Sequence, residues 1–560
     1  ICFATVCIAE DISTVDELIA YMDSSPSGVK EINLIRDLDF STRTLSVPLG
    51  MKRSQYCSQF SGILRGNGHS IKNLVMNRDD KDSGLFCGMR DATVENLIFD
   101  KTCSFTGGQV GALSTYVTIN VTIRNVVNKG FVGGLVSGGL VGYFNCFGTP
   151  FSLMFDHCAN EGTIKSNVPR STMSDTSGGL IGYVSCTKEG NLTIVGCKNS
   201  GDILENCYSA GGLVGKVLLD GNRTNPSYVV IENSTNSGTF ADRSYFVGGL
   251  IGSWTGDKYF TDLTIFNCNN TGTIRGNGKN YGGLVGVASS PISVINCTNS
   301  ATISSASSES TVGGLIGQIQ NATVNLFNCT NTGRIDGYIS GGFVGEFWGA
   351  VNSTNGTNRG YVWGSKSSAG FIGNQFANYQ NPSPSLWLVN SANYGKVVSV
   401  ETACGFVCQH NRSVEITFYE GRFENSLSKG NVSGRYAYGL VNIYHNSVNY
   451  RFYQIVVLAA VDGRDDESSC VPNINVVTLN NVYVLDTIDK QCPWVHQFTM
   501  GADGNYYLTN TNILLAKHLN EGSLGSAIWN DGRFWLMWTK PLDLVSSFSI
   551  SFGSPGGHHS

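Results

Sequence analysis

The chain has 560 residues and a net charge of −5, and 41% of the residues are apolar while only 14% are charged. This composition excludes an intrinsically disordered chain, which would combine low hydrophobicity with high charge. It also excludes the strongly basic surface that binds nucleic acid, and no apolar run is long enough to predict a membrane-spanning helix. Neither nucleic acid nor a bilayer is therefore an expected partner.

Residues 1–9 are interpreted as a first strand, although they could also be the tail of a signal peptide. The following "STVDELIAYM" predicts a helix with Thr14 as its N-cap and Glu17 three residues later, which together form a capping box. One face of this helix collects the apolar residues Val15, Leu18, Ile19 and Met22. Such a face can cover the end of a stack of strands, which would otherwise pair with other chains.

A glycine-rich phrase recurs twelve times along the chain, at intervals of 24 to 40 residues. Its clear copies are "GGQVG" at 107, "GGLVG" at 138, "GGLIG" at 178, "GGLVG" at 211, "GGLIG" at 248, "GGLVG" at 282, "GGLIG" at 313 and "GGFVG" at 341. Weaker copies are "SGLFC" at 83, "AGFIG" at 369, "CGFVC" at 404 and "YGLVN" at 438. The irregular interval disfavours helical repeats and favours stacked coils of β-strands, because a loop can lengthen at a corner without disturbing the strands.

A second phrase lies between the glycine phrases and contains one recurring asparagine. Its copies carry Asn128, Asn160, Asn199, Asn236, Asn270, Asn299, Asn331 and Asn393. If the coils stack directly, these side chains would form an inward ladder of amide hydrogen bonds, as in cross-β stacks. The alternative is that each asparagine is a turn residue in the left-handed conformation.

Five cysteines share one position of the second phrase: Cys158, Cys197, Cys268, Cys297 and Cys329. Ser234, Ser391 and Val126 fill this position in other copies, which indicates a small, mostly buried side chain and favours reduced thiols. We therefore expect a core cysteine ladder that includes Cys268, Cys297 and Cys329. Bonds between neighbouring coils are also geometrically possible, because strands about 4.8 Å apart lie within disulfide range.

Other cysteines are candidates for disulfides. Cys146 and Cys186 follow their glycine phrases at the same distance, so Cys146 with Cys158 and Cys186 with Cys197 are expected to close single coils. Cys470 and Cys492 form another plausible pair, and Cys404 and Cys408 are expected to have a structural rather than a redox role. The 17 cysteines leave at least one unpaired, and none has zinc-site spacing, so no metal ligands are expected.

The sequence contains twelve acceptor triplets for N-linked glycans. They begin at Asn120, Asn191, Asn222, Asn233, Asn269, Asn296, Asn321, Asn328, Asn352, Asn355, Asn411 and Asn431. Asn233, Asn296 and Asn328 occupy the same repeat position, which strand alternation predicts to face outward. A repeated exposed acceptor fits a secreted or extracellular surface protein that passes through a eukaryotic secretory pathway.

The repeats also suggest how the chain is divided. Residues 1–78 would form the capping helix and the entry coils, and residues 79–450 the repeated coils. Residues 451–545, where the glycine phrase stops, would form the terminal coils and a C-terminal cap, and residues 546–560 a tail.

The chain resembles the GLUG-motif repeat proteins. The resemblance rests on "LIRDLDFS" at 34, "FSGILRGNGHSIKNLVM" at 60, "SGLFCGMRDATVENLIF" at 83, the "GGLVG" series and "VYVLDT" at 482. It implies an all-β fold, a right-handed parallel β-helix (β-solenoid) of the pectin-lyase-like type with about twelve or more coils. It also implies a surface or secreted protein, commonly an adhesin or a matrix component, and no single shared activity.

An enzyme on this fold would need clustered carboxylates, or a base beside a cation, on one face of the stack. The acidic runs at 78–82 and 463–467 alternate with basic residues, and His157 has no evident carboxylate partner by pattern. We therefore expect no catalytic, cofactor-binding or metal-binding residues and no enzymatic activity, which makes a polysaccharide-active enzyme the least favoured reading.

Two non-catalytic functions fit the repeats. The preferred one is an extracellular structural glycoprotein, a rigid building block of a surface filament, sheath or matrix, whose main partner is itself or other surface components. The alternative is a cell-surface adhesin that binds glycans or proteins through loops inserted at 144–157, 164–177 and 216–230.

Overall fold

The computed structural model describes most of the chain up to residue 463 and only isolated strands beyond it. The described residues are 9–463, without 25–28, 53–55, 80, 147–148, 166–174, 205, 220–225, 243, 258–260, 376–384, 410–418, 443–447 and 458–460, together with 477–485, 496–500, 506–508, 514–516, 527–530 and 533–536. The expected cap at 451–545 and tail at 546–560 therefore lie largely or wholly outside the described residues, as does most of the first strand expected at 1–9.

The described chain winds into stacked coils of short strands, and each coil has five strand positions that we label a to e. In the coil that starts at Ile181 these are Ile181–Cys186, Gly190–Val195, Lys198–Asn199, Ile203–Leu204 and Ser209–Gly211. Each strand pairs in parallel with the same position of the coils before and after it. Positions a to c form one long sheet and positions d and e a second. The predicted parallel β-solenoid is confirmed.

The remaining coils follow the same plan. Position a comprises Phe86–Phe99, Ser114–Val117, Val141–Cys146, Val214–Leu219, Ile251–Gly256, Val285–Ala288, Ile316–Phe327, Val344–Thr354, Ile372–Gln375 and Val407–Gln409. Three of these strands, Phe86–Phe99, Ile316–Phe327 and Val344–Thr354, continue through position b. Position b comprises Val121–Asn128, Phe151–Asp156, Ser227–Glu232, Thr261–Phe266, Ile292–Ile295, Ser385–Val389, Tyr419–Ser428, Val448–Val457 and Val477–Leu485. Position c comprises Ala159–Asn160, Thr235–Asn236, Asn269–Asn270, Thr298–Asn299, Thr330–Asn331, Thr357–Asn358 and Ala392–Asn393.

The second sheet is built in the same way. Position d comprises Ile164–Lys165, Phe240–Asp242, Ile274–Gly276, Ile303–Ser305, Val397–Ser399, Val432–Gly434 and Val461–Gly463, and position e comprises Thr176–Gly178, Phe246–Gly248, Asn280–Gly282, Thr311–Gly313, Thr402–Cys404 and Tyr436–Tyr438. In four coils a single continuous strand spans positions d and e: Ser104–Gly111, Phe131–Gly138, Ile335–Gly341 and Val362–Ala369. Strands at the chain ends are Glu10–Ile12, Lys30–Leu34, Leu38–Asp39, Met51–Lys52, Tyr56–Cys57, Phe60–Arg65, Ser70–Lys72, Val75–Asn77, His496–Met500, Tyr506–Leu508, Leu514–Ala516, Ala527–Asn530 and Arg533–Leu536.

The predicted capping helix, α1, spans Val15–Ser24. The Glu17 carboxylate accepts hydrogen bonds from the backbone N–H groups of Ser13 and Thr14, and the Glu17 N–H donates to Oγ1 of Thr14 at 3.2 Å. This is the predicted capping box. Its buried residues Val15, Leu18 and Met22 belong to the same core as the strands, so α1 covers the beginning of the solenoid. A one-turn 3₁₀ helix at Phe40–Thr42 follows.

The core fills the inside of the coils with side chains that meet their equivalents in neighbouring coils. The clearest example is the series Phe343, Phe371 and Phe406, in which successive ring centroids lie 4.6 and 5.6 Å apart. Because the same type of side chain recurs at one position, the packing surface of each coil is complementary to that of the next.

The recurring asparagines form a continuous buried ladder, not a series of turns. Nδ2 of each asparagine before the last donates to Oδ1 of the asparagine in the next coil at 2.8 to 3.0 Å. The ladder comprises Asn128, Asn160, Asn199, Asn236, Asn270, Asn299, Asn331, Asn358 and Asn393. Asn358 was not among the predicted members. Phe99 occupies the equivalent position before the ladder and Ser428 the one after it.

The ladder explains the second glycine of the glycine phrase. A Cβ on Gly283 would lie 2.6 Å from Cγ of Asn299 and would overlap the carbonyl oxygen of Gly314. Gly179 and Asn199 make the same contact in their coil, at 2.8 Å. In these coils glycine leaves room for the amide, so the two repeated phrases contact each other.

Strand register corrects one copy of the glycine phrase. The structure aligns Gly111 with Gly138, whereas Gly107 aligns with Gly134. The copy predicted at residue 107 therefore begins at residue 111, where "GALST" replaces the usual sequence.

We expect Gly283→Ala to lower the free energy of unfolding by about 3 kcal/mol, because the added methyl group overlaps backbone and the ladder amide. Gly68→Ala is the control: no atom lies within 4 Å of its Cβ, but its φ is +81°, so we expect a loss of about 1 kcal/mol. Urea denaturation followed by circular dichroism measures both. Equal losses would contradict the proposed contact.

Candidate functional site

The N-glycan acceptors that the structure describes all reach the surface. Six are exposed, Asn120, Asn191, Asn233, Asn321, Asn328 and Asn431, and four are half-buried, Asn269, Asn296, Asn352 and Asn355. Asn222 and Asn411 lie outside the described residues.

Four acceptors share one corner of the solenoid, between positions b and c. Asn233, Asn296, Asn328 and Asn355 all have a left-handed backbone, with φ between 49° and 56°. Asparagine adopts this conformation more readily than most residues, which explains why it recurs at the turn. Nδ2 of Asn328 donates to Oδ1 of Asn296 at 2.9 Å, so the outer amides also contact one another. These acceptors line one edge of the molecule.

The cysteine file follows this corner, and its side chains satisfy backbone groups that the turn leaves out of the strand ladder. Sγ of Cys329 donates to the carbonyl oxygen of Phe327, and the Cys268 N–H donates to Sγ of Cys297 at 3.4 Å. Oγ of Ser234 makes the equivalent bonds to the Glu232 carbonyl and the Cys197 N–H. The position therefore needs a small side chain that both donates and accepts, which explains the exchange of Cys for Ser.

The thiols of this file are free and buried. Cys158, Cys197, Cys268, Cys297 and Cys329 form no disulfides and are at most 2% exposed. Burial raises the pKa of Cys329 well above its ordinary value, and it raises the pKa of Cys103, another buried thiol, to about 11. Because burial makes these thiols inaccessible, they are poor nucleophiles, and we assign them a structural role.

The disulfides differ from those expected within single coils. Cys146 bonds to Cys186 in the next coil, because parallel pairing at position a places their Cα atoms 4.8 Å apart. Cys158 and Cys197 lie beyond strand b and stay reduced, so both expected pairs are wrong. Cys404 bonds to Cys408.

One disulfide was not predicted, and one predicted pair cannot be placed. Cys57 bonds to Cys87 across 30 residues, a pairing that sequence spacing did not indicate. Cys470 and Cys492 lie outside the described residues.

A ladder of alternating charges runs along the outside of position b in the first coils. The guanidinium of Arg124 lies 3.8 Å from Glu95 and 2.8 Å from Asp156, and Arg65 lies 3.6 Å from Glu95. Nδ1 of His157 lies 2.5 Å from Oδ1 of Asp156, which corrects the expectation that His157 has no carboxylate partner. Arg124 and His157 lower the pKa of Asp156. Each carboxylate here is neutralised by a cation, which suits stabilisation of the stack.

A strip of tyrosines and lysines lies on another face, where positions e and a of successive coils meet. We call it the tyrosine–lysine strip, and it consists of Tyr143, Tyr183, Tyr208, Tyr245, Lys216 and Lys279, all partly exposed. Strand register aligns Tyr143, Tyr183 and Lys216 at position a. Tyr208, Tyr245 and Lys279 each directly precede a strand at position e.

The rings and ammonium groups of this strip contact one another in sequence. The Tyr143 and Tyr183 ring centroids lie 5.3 Å apart, and the Lys216 ammonium lies 5.2 Å from the Tyr183 ring and 5.7 Å from the Tyr208 ring. Tyr208 stacks on Tyr245 at 5.7 Å, within 5° of parallel. The Lys279 ammonium lies 5.7 Å from the Tyr245 ring. Cation–π contacts and stacking therefore hold the strip in one arrangement.

The same face continues into a buried polar network around Glu346, which is 5% exposed. Oε1 of Glu346 accepts from Nε1 of Trp348 at 2.5 Å and from Nε2 of Gln318 at 3.3 Å. Oε1 of Gln318 accepts in turn from Nδ2 of Asn280 at 2.8 Å. Burial raises the pKa of Glu346, although both hydrogen bonds oppose the shift.

The described ranges form neither a metal cluster nor a membrane-spanning helix. No group of three or more His, Cys, Asp or Glu residues is placed there to hold a metal ion. Among the same residues, no helix is long and apolar enough to cross a membrane.

Comparisons with known proteins give short or distant matches. No family model matches the sequence. The chain is 41% identical over 86 residues to halomucin from Haloquadratum walsbyi, a match that covers 15% of this chain and 1% of halomucin. The fold is similar to that of a proposed immunoglobulin A1 protease from Bacteroides ovatus, with 19% identity and a TM-score of 0.39, over 48% of this chain and 77% of that one.

We expect the free energy of unfolding of the wild-type protein to fall as Glu346 ionises with rising pH, and we expect Glu346→Gln to abolish this fall. Because the folded-state pKa is raised above its ordinary value of 4.5, ionisation above that pH favours the unfolded state. Glutamine keeps the accepting oxygen without the charge. The variant should gain about 1 kcal/mol relative to wild type between pH 4.5 and neutrality.

The exposed Glu309 supplies the control, because Glu309→Gln should leave the pH dependence unchanged. Urea denaturation across this pH range measures all three proteins. A constant difference between Glu346→Gln and wild type would contradict the expectation.

Proposed function

We propose that this protein is an extracellular structural glycoprotein, a rigid β-solenoid that serves as a building block of a surface filament, sheath or matrix. The observation that carries the proposal is the unbroken asparagine ladder from Asn128 to Asn393, which fixes every coil directly over the previous one. Most repeated residues make contacts between coils, and such contacts stabilise a stiff, elongated stack. Stacked coils of this kind give extended surfaces suited to lateral or end-to-end assembly.

Two features support an extracellular location. The described chain contains three disulfides, and such bonds persist in oxidising compartments but are rare in the cytosol. The described N-glycan acceptors all reach the surface, and four of them line one edge. Both features fit a chain that passes through a eukaryotic secretory pathway.

The charged residues support a non-catalytic role. Glu31, Glu95 and Asp156 are carboxylates that the stack brings to one face, and each contacts an arginine. Ion pairs of this kind suit stabilisation of the stack. The motif pattern also supports placing the chain with the GLUG-motif repeat proteins, since its glycines and asparagines make the repeated contact.

The second candidate function is adhesion. The loops first considered for it, at 144–157, 164–177 and 216–230, contain the segments 147–148, 166–174 and 220–225, which lie outside the described residues. The observation that favours adhesion is the tyrosine–lysine strip, because it presents rings and cations in one fixed arrangement at the surface.

The building-block proposal is tested by electron microscopy of native or secreted material. We expect straight rods that join into fibres or arrays. Non-reducing gels show whether disulfides link the protomers. Native material that contains only separate particles would contradict assembly.

Glycopeptide mapping of the same secreted material tests the glycoprotein part. We expect glycans on exposed acceptors such as Asn328, and Asn328→Gln should remove one glycan mass. Asn390 is the matched control: it has the same left-handed corner conformation, with φ of 49°, but no acceptor triplet, so Asn390→Gln should leave the mass of the glycans unchanged. Secreted protein without any glycan would contradict this part.

A further inference from the structure

We propose that the tyrosine–lysine strip is a binding site for an acidic polysaccharide, lying along the solenoid axis. This inference deepens the adhesion alternative and relies on the proposed extracellular location. It concerns the face where positions e and a meet; of the segments considered for adhesion, only 216–230 shares a residue with the strip, its first residue Lys216.

The first argument comes from where glycans can be attached. None of the twelve acceptor triplets falls in strand positions e or a of the coils that carry the strip, at 176–186, 209–219, 246–256 and 280–288. The acceptors lie instead between the end of position a and the start of position d. Attached glycans would therefore cover other faces and leave this strip open to a large ligand.

The second argument is the charge of the strip. Within the described part of the chain, no ion pair joins Lys216 or Lys279 to a carboxylate. The nearest acidic residues along the two files, Asp175 and Glu346, are buried, at 1% and 5% exposure. Glu346 attracts Lys279, but it lies beneath the surface and does not face a ligand. The surface of the strip is thus cationic and aromatic, although the whole chain carries a net charge of −5. An anionic ligand complements it.

The third argument is geometry. Lys216 aligns with Ser253 and Ser253 with Val287, and Val287 and Lys279 flank the same turn from position e to position a. The two ammonium groups are therefore separated by two coils, or about 10 Å along the axis. One small anion cannot contact both at once, whereas a polymer with charges at regular intervals can. A nucleic acid would need more cations than two for useful affinity.

The tyrosines supply the remaining contact area. Tyrosine rings offer a large, partly apolar surface and lose little entropy on binding, and mutual stacking of Tyr208 and Tyr245 fixes them before the ligand arrives. Sugar rings present both C–H faces and hydroxyl groups to such a surface. Rings and cations together distinguish an acidic glycan from a simple polyanion.

The test measures binding of the purified full chain to polygalacturonate, with neutral dextran and single-stranded DNA of similar length as reference probes. The variant Lys216→Gln with Lys279→Gln should lose about tenfold in affinity for polygalacturonate. The matched control, Lys165→Gln with Lys198→Gln, makes the same change of charge at exposed lysines outside the strip and should bind as wild type does. Binding of the wild type should weaken as salt increases.

Each other outcome contradicts the inference. Equal losses in the two double variants would mean that net charge, not the strip, governs binding. Equal affinity for DNA would assign the strip to polyanions in general, and equal affinity for dextran would remove the role of the lysines. Circular dichroism and the urea midpoint verify that both variants fold. Rods that assemble but do not bind polygalacturonate would overturn this inference and leave the proposed structural function intact.

Discussion

The contact between an asparagine amide and a glycine backbone is the constraint on which the rest of the structure depends. Each amide between the two ends of the ladder bonds to its equivalents in the coils before and after it, so replacing one asparagine removes a hydrogen bond from both neighbours. The amide also occupies the space that a side chain on the second glycine would need, as Gly283 and Asn299 show. A buried amide without partners is costly, so the ladder holds the coils in one register.

From this register follow the properties of each face. Next to the ladder, the left-handed corner turns an outer asparagine toward solvent, and the cysteine or serine between them satisfies the backbone groups that the turn interrupts. The corner therefore carries potential glycan acceptors, whereas strands e and a carry none in the coils of the strip. Attachment and binding would thus use different sides of one rigid body.

The sequence predicted the features that repeat at one position, because stacking places such residues in contact. The capping box and the asparagine ladder are examples, although Asn358 escaped notice because Gly356 stands where other copies have cysteine. Features that join different repeat positions could not be predicted, since they depend on register between coils. The tyrosine–lysine strip is of this kind, because it joins positions e and a. Cys146 with Cys186 and Arg124 with Asp156 each share one repeat position, but each pairing occurs in a single pair of coils, so no repeated pattern indicated it.

The most direct measurement is the urea stability of Asn299→Asp compared with wild type at pH 7 and at pH 4. Aspartate has the shape of asparagine, but its carboxylate cannot donate to Oδ1 of Asn331 and would be buried without a cation. We expect a loss of about 3 kcal/mol or more at pH 7 and a smaller loss at pH 4, where protonation restores a donor. A variant as stable as wild type at pH 7 would contradict the claim that the ladder holds the coils together.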